Sequence, residues 1–240
     1  MKKQTITFIL LATALFMFAG CGTSGIPDKI KKAIEPLPSG KPADIGQELS
    51  DVLFYTMDEE RLAYDIYNGL YNQHGTKEFT NVAKSEYLHI QTIQGLFKKY
   101  FLNNDNSSFD YANVSIEDMP AGTYDIPSIQ NLYNSLILRG SVSEIAALQV
   151  GCMVEVTKID DLNENIEKVK NAHSSDDIST VLTFLRQGGY DHYWAFSRKL
   201  QNKGVGGGCC SLGIIGDKNY CHPNYPQPPK SGLKRRRKRV

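Results

Sequence analysis

The sequence predicts an all-α protein, a bundle of four long helices with extra short helices in the central connection. Three observations lead there. From Gln47 to about Asn202, apolar residues recur at steps of three and four, the spacing of one helix face. Almost no stretch alternates with period two, as a half-buried strand would. The periodic runs stop at helix punctuation such as Gly75 and Gly140. A body of roughly 150 residues is large enough for one core and gives no reason to divide it.

The elements follow in order. The first helix covers 47–74, QELSDVLFYTMDEERLAYDIYNGLYNQH, and ends at Gly75. The second covers 78–102. Residues 103–124, rich in Asn, Ser, Asp and Gly, read as a long loop. A short helix starts at Pro127 and runs to about Arg139. Ser141 can cap a helix over 142–157, and a separate short helix follows at 160–171. The last long helix spans 176–202, with Ser174 and Ser175 as capping residues.

The two ends place the domain. Lys2 and Lys3 precede an apolar run from Ile6 to Gly20, too short for a membrane span and laid out like an export signal. FAGC at 18–21 resembles the bacterial lipobox, which would make 1–20 a signal peptide and Cys21 the lipidated residue. The alternative is an uncleaved N-terminal anchor. In either case the chain is expected outside the cytoplasmic membrane, or on the periplasmic side of another membrane. Residues 21–45 are rich in Gly, Pro, Ser and Lys and read as a tether. The domain then occupies 46–202, and 203–240 is a Cys-, Gly- and Pro-containing tail. Lys234–Arg239 are consecutive cations, either a solvated tail or a contact for anionic lipid headgroups. Nucleic acid is not expected of an exported chain. The formal charge is +1, so without the cations at its two ends the body is net acidic, which suits cations better than phosphates.

Besides Cys21 there are Cys152, within a helical pattern, and a cluster of Cys209, Cys210 and Cys221. For the cluster, export favours a disulfide joining Cys221 to one of the vicinal pair; a soft-metal site with His222 is the alternative. Cys152 reads as inert packing. No CxxC pair occurs, so a rubredoxin-like iron centre is not encoded.

The buried stripes carry the chemistry. In the second helix Val82, Glu86, His89, Ile93, Leu96 and Tyr100 step by four and three, placing Glu86 and His89 in line with apolar residues. Glu60, Tyr64, Tyr67 and Tyr71 form a stripe on the first helix. Leu148, Cys152, Glu155, Ile159 and Leu162 form the third, and Ile178, Leu182, Leu185, Gly189, His192 and Phe196 the fourth. One such residue is ordinarily a seam-edge side chain reaching water. Four helices each bringing one or two to mid-length predict a shared site. Buried carboxylates must protonate, pair or bind a cation, and a mixed carboxylate and imidazole set suits iron, manganese or zinc.

DEERLAYDIYNGLY (58–71), FTNVAKSEYLHIQTI (79–93), LRGSVSEIAALQVGCMVEVTKIDDL (138–162) and YDHYWAFSRKL (190–200) resemble an uncharacterised ferritin-like family, domain of unknown function 2202, over about residues 50–200. Its pattern is related to rubrerythrin and the erythrins. The resemblance implies a ferritin-like four-helix bundle and a mono- or dinuclear site, iron first and manganese or zinc otherwise, with ferroxidase or peroxidase-like activity and an external electron donor. It implies Glu86 and Glu155 as bridging or capping ligands, Glu60 as a terminal one, and His89 and His192 each binding through one ring nitrogen. The chain departs from the pattern twice: Gly189 stands where a symmetric site has Glu, and Lys158 where the family pattern has an acidic residue nearby. A non-catalytic metal-holding or interaction module at the cell surface is the competing expectation.

Overall fold

The structure is a computed structural model that describes residues 25–37, 45–100, 109–172 and 176–228. Among these it is almost entirely helical: α1 (Asp28–Ala33), α2 (Gly46–His74), α3 (Lys77–Tyr100), α4 (Pro127–Gly140), α5 (Glu144–Asn171) and α6 (Asp176–Asn202). Two short 3-10 turns, Ile116–Asp118 and Gly208–Leu212, and a small antiparallel ribbon of β1 (Ile214–Ile215) and β2 (Lys218–Asn219) complete it. Residues 1–20, expected as a signal peptide, and Cys21, Ser174, Ser175 and Lys234–Arg239 lie outside the described residues.

The helix ends follow from local chemistry. α2 stops at Gly75, whose φ of 68° is the left-handed cap conformation that glycine adopts without strain. Pro127 begins α4, where its missing N–H costs nothing. The cap of α5 is Ser143, two residues beyond the expected Ser141; its side chain accepts from the Ala146 N–H.

α2 packs against α3, α4 and α5, while α6 packs against α5 and α3. The apolar interior divides in two. One half gathers Leu53, Met57, Ile93, Phe97, Leu162 and Leu182. The other gathers Ile66, Tyr67, Phe79, Val82, Leu148 and Phe196. Between these halves, at mid-length of α2, α3, α5 and α6, lie Glu60, Glu86, His89, Glu155, Lys158 and His192, all buried. The polar stripe positions thus form a layer sealed above and below by hydrocarbon.

Three expectations are corrected. α5 is one helix from Glu144 to Asn171, with no break at 157–160. Its buried stripe of Val156, Lys158, Ile159, Leu162, Ile166 and Val169 runs through the expected break, and packing overrides the weak helix preference of the β-branched residues there. Within the segment expected as a tether, Asp28–Ala33 forms α1, which seats Ile26, Ile30 and Ala33 in the core. The 103–124 connection is described from Phe109 on, and there it is packed: Tyr111, Ala112 and Ile116 are buried.

Candidate metal centre

Four helices supply the site. α2 brings Glu60, α3 brings Glu86 and His89, α5 brings Glu155 and Lys158, and α6 brings His192. All five predicted ligands therefore meet in one buried cluster. Two groups of three lie with their ligand atoms within 4.8 Å of one another: Glu60, Glu86 and His89, and Glu86, Glu155 and His192. Glu86 belongs to both.

The halves differ in how they are satisfied. In the first, the Lys158 ammonium donates to Glu60 Oε2 at 2.8 Å and to Glu86 Oε2 at 2.9 Å. His89 Nδ1 lies 2.7 Å from Glu86 Oε2 and 3.1 Å from Glu60 Oε2, aligned as a donor to both carboxylates. In the second half, Glu86 Oε1, Glu155 Oε2 and His192 Nδ1 have no hydrogen-bond partner among the described residues. His192 Nδ1 lies 3.0 Å from Glu86 Oε1 and 3.5 Å from Glu155 Oε2, within ion-pair range, but neither contact has hydrogen-bond alignment. Glu60 Oε1 is likewise without a partner. Fully buried polar atoms are ordinarily hydrogen-bonded, so three ligand atoms that meet at one place without a hydrogen-bond partner could hold a cation. This half fits a metal ion; the other is filled by Lys158.

The electrostatics follow the contacts. Burial pushes the Glu86 carboxyl up, but Lys158, His192 and His89 around it more than reverse this and hold it well below the usual range. Glu60 is pushed up, by burial first and by neighbouring Glu86, against the pull of Lys158 and His89. The two carboxylates share Lys158 yet shift oppositely because Glu86 faces three cationic groups and Glu60 two. Burial would lower the imidazoles, but their carboxylates win: His89 is raised, and His192 is raised to about 10. Lys158 is raised for the same reason, by Glu60, Glu86 and Glu155 against burial. Next door, the Glu59 carboxyl is pushed well above its ordinary value by burial and by Asp161.

Supporting groups fix the ligands. The Tyr67 hydroxyl donates to Glu155 Oε1, leaving Oε2 for the site, so Tyr67 has a polar role beside the aromatic packing expected of it. Gly188 makes room for His89: a Cβ there would lie 2.5 Å from the ring Cε1 and 2.6 Å from Nε2. At Gly189 a Cβ would lie 3.5 Å from Glu155 Oε2, so the missing glutamate leaves a carboxylate position of the second half without a side chain. Lys158 was legible only as a departure from a family pattern. Its place three residues after Glu155, one turn further along the same buried stripe, was the signal that it enters the cluster.

Away from this layer, a cavity of about 830 Å³ is lined by Asp51, Asp58, Asp125, Asp161, Glu164 and their neighbours. It shares no residue with the cluster. The cysteines form two disulfides, Cys152–Cys209 and Cys210–Cys221. Cys221 thus pairs with one of the vicinal residues, as expected. Cys152 is not inert packing: it anchors the C-terminal segment to α5.

The comparisons agree on family. A family described as an uncharacterized protein domain, DUF2202, matches residues 49–209. The uncharacterized protein MJ0754 of Methanocaldococcus jannaschii is 35% identical over 160 residues, covering 67% of this chain and 79% of its own. The crystal structure of that hypothetical protein aligns with a TM-score of 0.59 at 31% identity, covering 71% of this chain and 87% of the other. The matched span runs from the start of α2 to the cysteine that closes on α5, so it contains the whole cluster, and the chain belongs to the DUF2202 family.

Proposed function

We propose that the chain is an exported, lipid-anchored, ferritin-like protein that binds metal, iron first, in its carboxylate and histidine cluster, with ferroxidase or peroxidase-like activity. The observation that carries this reading is the convergence of Glu86 Oε1, Glu155 Oε2 and His192 Nδ1, fully buried and without a hydrogen-bond partner among the described residues. The packing of α2, α3, α5 and α6 around that layer supports the four-helix, ferritin-like assignment. The apolar leader, FAGC at 18–21 and two disulfides support export and attachment through Cys21.

Iron bound there would supply one-electron redox chemistry toward oxygen or peroxide. The chain's own residues do the rest. Glu86 and Glu155 offer charge, His192 a ring nitrogen, and Tyr67 fixes which Glu155 oxygen faces the site. The apolar layers on either side exclude bulk water and strengthen each electrostatic contact. An external donor would provide electrons.

A second reading, a metal-holding module without turnover, is favoured by one observation: Lys158 ties up Glu60 and one oxygen of Glu86. Metal content and oxidation separate the two. The full chain, produced without a histidine tag and reconstituted anaerobically with Fe(II), is expected to retain iron that Glu86→Ala loses, and to oxidise it rapidly when peroxide is added. Retained iron without oxidation selects the holding module. Less than one ion per chain, unchanged by Glu86→Ala, would end both readings.

A further inference from the structure

We infer that Lys158 fills one half of the cluster with its own ammonium group, so that the chain holds a single divalent cation, between Glu86, Glu155 and His192. The inference rests on the metal reading above and adds which half is used and why the other is closed.

Geometry separates the halves. A metal ion binds carboxylate oxygen and imidazole nitrogen at about 2.0–2.2 Å. To use the first half, an ion would need Glu60 Oε2 and Glu86 Oε2, the two atoms to which Lys158 Nζ already donates at 2.8 and 2.9 Å. It would also need His89 Nδ1, which is aligned as a donor onto the same oxygens. An ammonium group and an imidazole N–H donor thus stand where the ion would. Lys158 is 2% exposed, so its ammonium has no path to water without crossing the packed layer. In the second half no ammonium stands among the atoms: Glu86 turns its other oxygen there, and among the described residues Glu86 Oε1, Glu155 Oε2 and His192 Nδ1 make no aligned hydrogen bond, although His192 Nδ1 lies 3.0 Å from Glu86 Oε1.

Charge gives the same count. Glu60, Glu86 and Glu155 with ammonium Lys158 carry a net −2 when both imidazoles are neutral ligands or donors. One divalent ion cancels that. Two would leave +2 in a layer closed by hydrocarbon on both sides, which is the costly case for buried charge. Glu86 would then face the ammonium with one oxygen and the ion with the other.

The test counts ions. The untagged full chain, stripped with chelator, is reconstituted with excess Co(II), gel-filtered, and assayed for cobalt per chain. The wild type and Lys158→Arg are expected to hold one ion, and Lys158→Met two, because Glu60 Oε2 and Glu86 Oε2 are released. Two ions in the wild type, or one in both wild type and Lys158→Met, overturns the inference. No ion in the wild type overturns the metal reading itself, and this inference with it. If Lys158→Met does not fold, the wild-type site still decides: its ion should be lost in His192→Gln and Glu155→Gln and kept in His89→Gln. Equal loss in all three overturns the assignment.

Discussion

At the scale of the residue, the polar layer depends on what is absent as much as on what is present. Gly188 is an interior helix position where alanine would ordinarily favour the helix by about 1 kcal/mol. Here a Cβ would stand 2.5 Å from His89 Cε1, and the ring cannot swing aside without breaking its contacts to Glu60 and Glu86. Overpacking of this kind costs about 1–3 kcal/mol. Gly188→Ala should therefore lower the urea-unfolding midpoint despite its better helix propensity, whereas Gly69→Ala, on α2 away from the layer, meets only the end of Ile137 at 3.1 Å. Equal midpoints for the two variants would show that His89 is not held where the contacts place it.

At the scale of the element, the connection before α4 is secured by a buried network centred on Arg61. Its guanidinium donates to Asp58 Oδ1 at 3.0 Å, to the Tyr111 hydroxyl at 3.2 Å and to the Thr123 carbonyl at 3.1 Å. It also lies about 5–6 Å from the ring centroids of Phe109, Tyr111 and Tyr124. Arg61→Met leaves Asp58 buried with the Tyr111 hydroxyl alone, so a loss of about 3–5 kcal/mol is expected. The amides of 109–124 should gain hydrogen exchange before those of α2. Uniform exchange across both would refute a local role. This segment marks where the sequence stopped being informative. The four long helices and the polar positions on their stripes were legible, because periodicity is local and each stripe is read within one helix. The unbroken α5, the burial of Tyr111 and Ile116, and the docking of α1 were not. Each depends on what another element presents, and composition alone reads such stretches as loop. Lys158 was legible only as a departure from a pattern for a related reason: its partners Glu60 and Glu86 sit on other helices.

At the scale of the whole molecule, the chain end is tied back to its middle. Cys152 on α5 joins Cys209 across a separation of 57 residues, and Cys210 closes a short loop to Cys221. The residues that follow Cys221 pack on α6: the His222 N–H donates to the Tyr193 hydroxyl, and the Trp194 indole N–H donates to the Pro226 carbonyl. Gly208 fits there only without a side chain, since its φ is 58° and a Cβ would collide with Ser197. The covalent link between distant parts is worth about 2–4 kcal/mol by restricting the unfolded chain. The helices themselves need neither bridge, because their two apolar halves are built largely from other residues. Reduction should therefore release the C-terminal segment first. Limited proteolysis in reducing buffer is expected to cut within 203–228 while α2 to α6 stay intact, and urea unfolding should then shift by that 2–4 kcal/mol. The proposed metal half next to Cys152 gives a second readout. Glu155 lies three residues beyond the bridge, but its Oε1 is fixed by Tyr67 and not by the tail, so cobalt per chain should survive reduction. Loss of cobalt together with the tail would mean that the tail, and not the four helices, holds the site in shape.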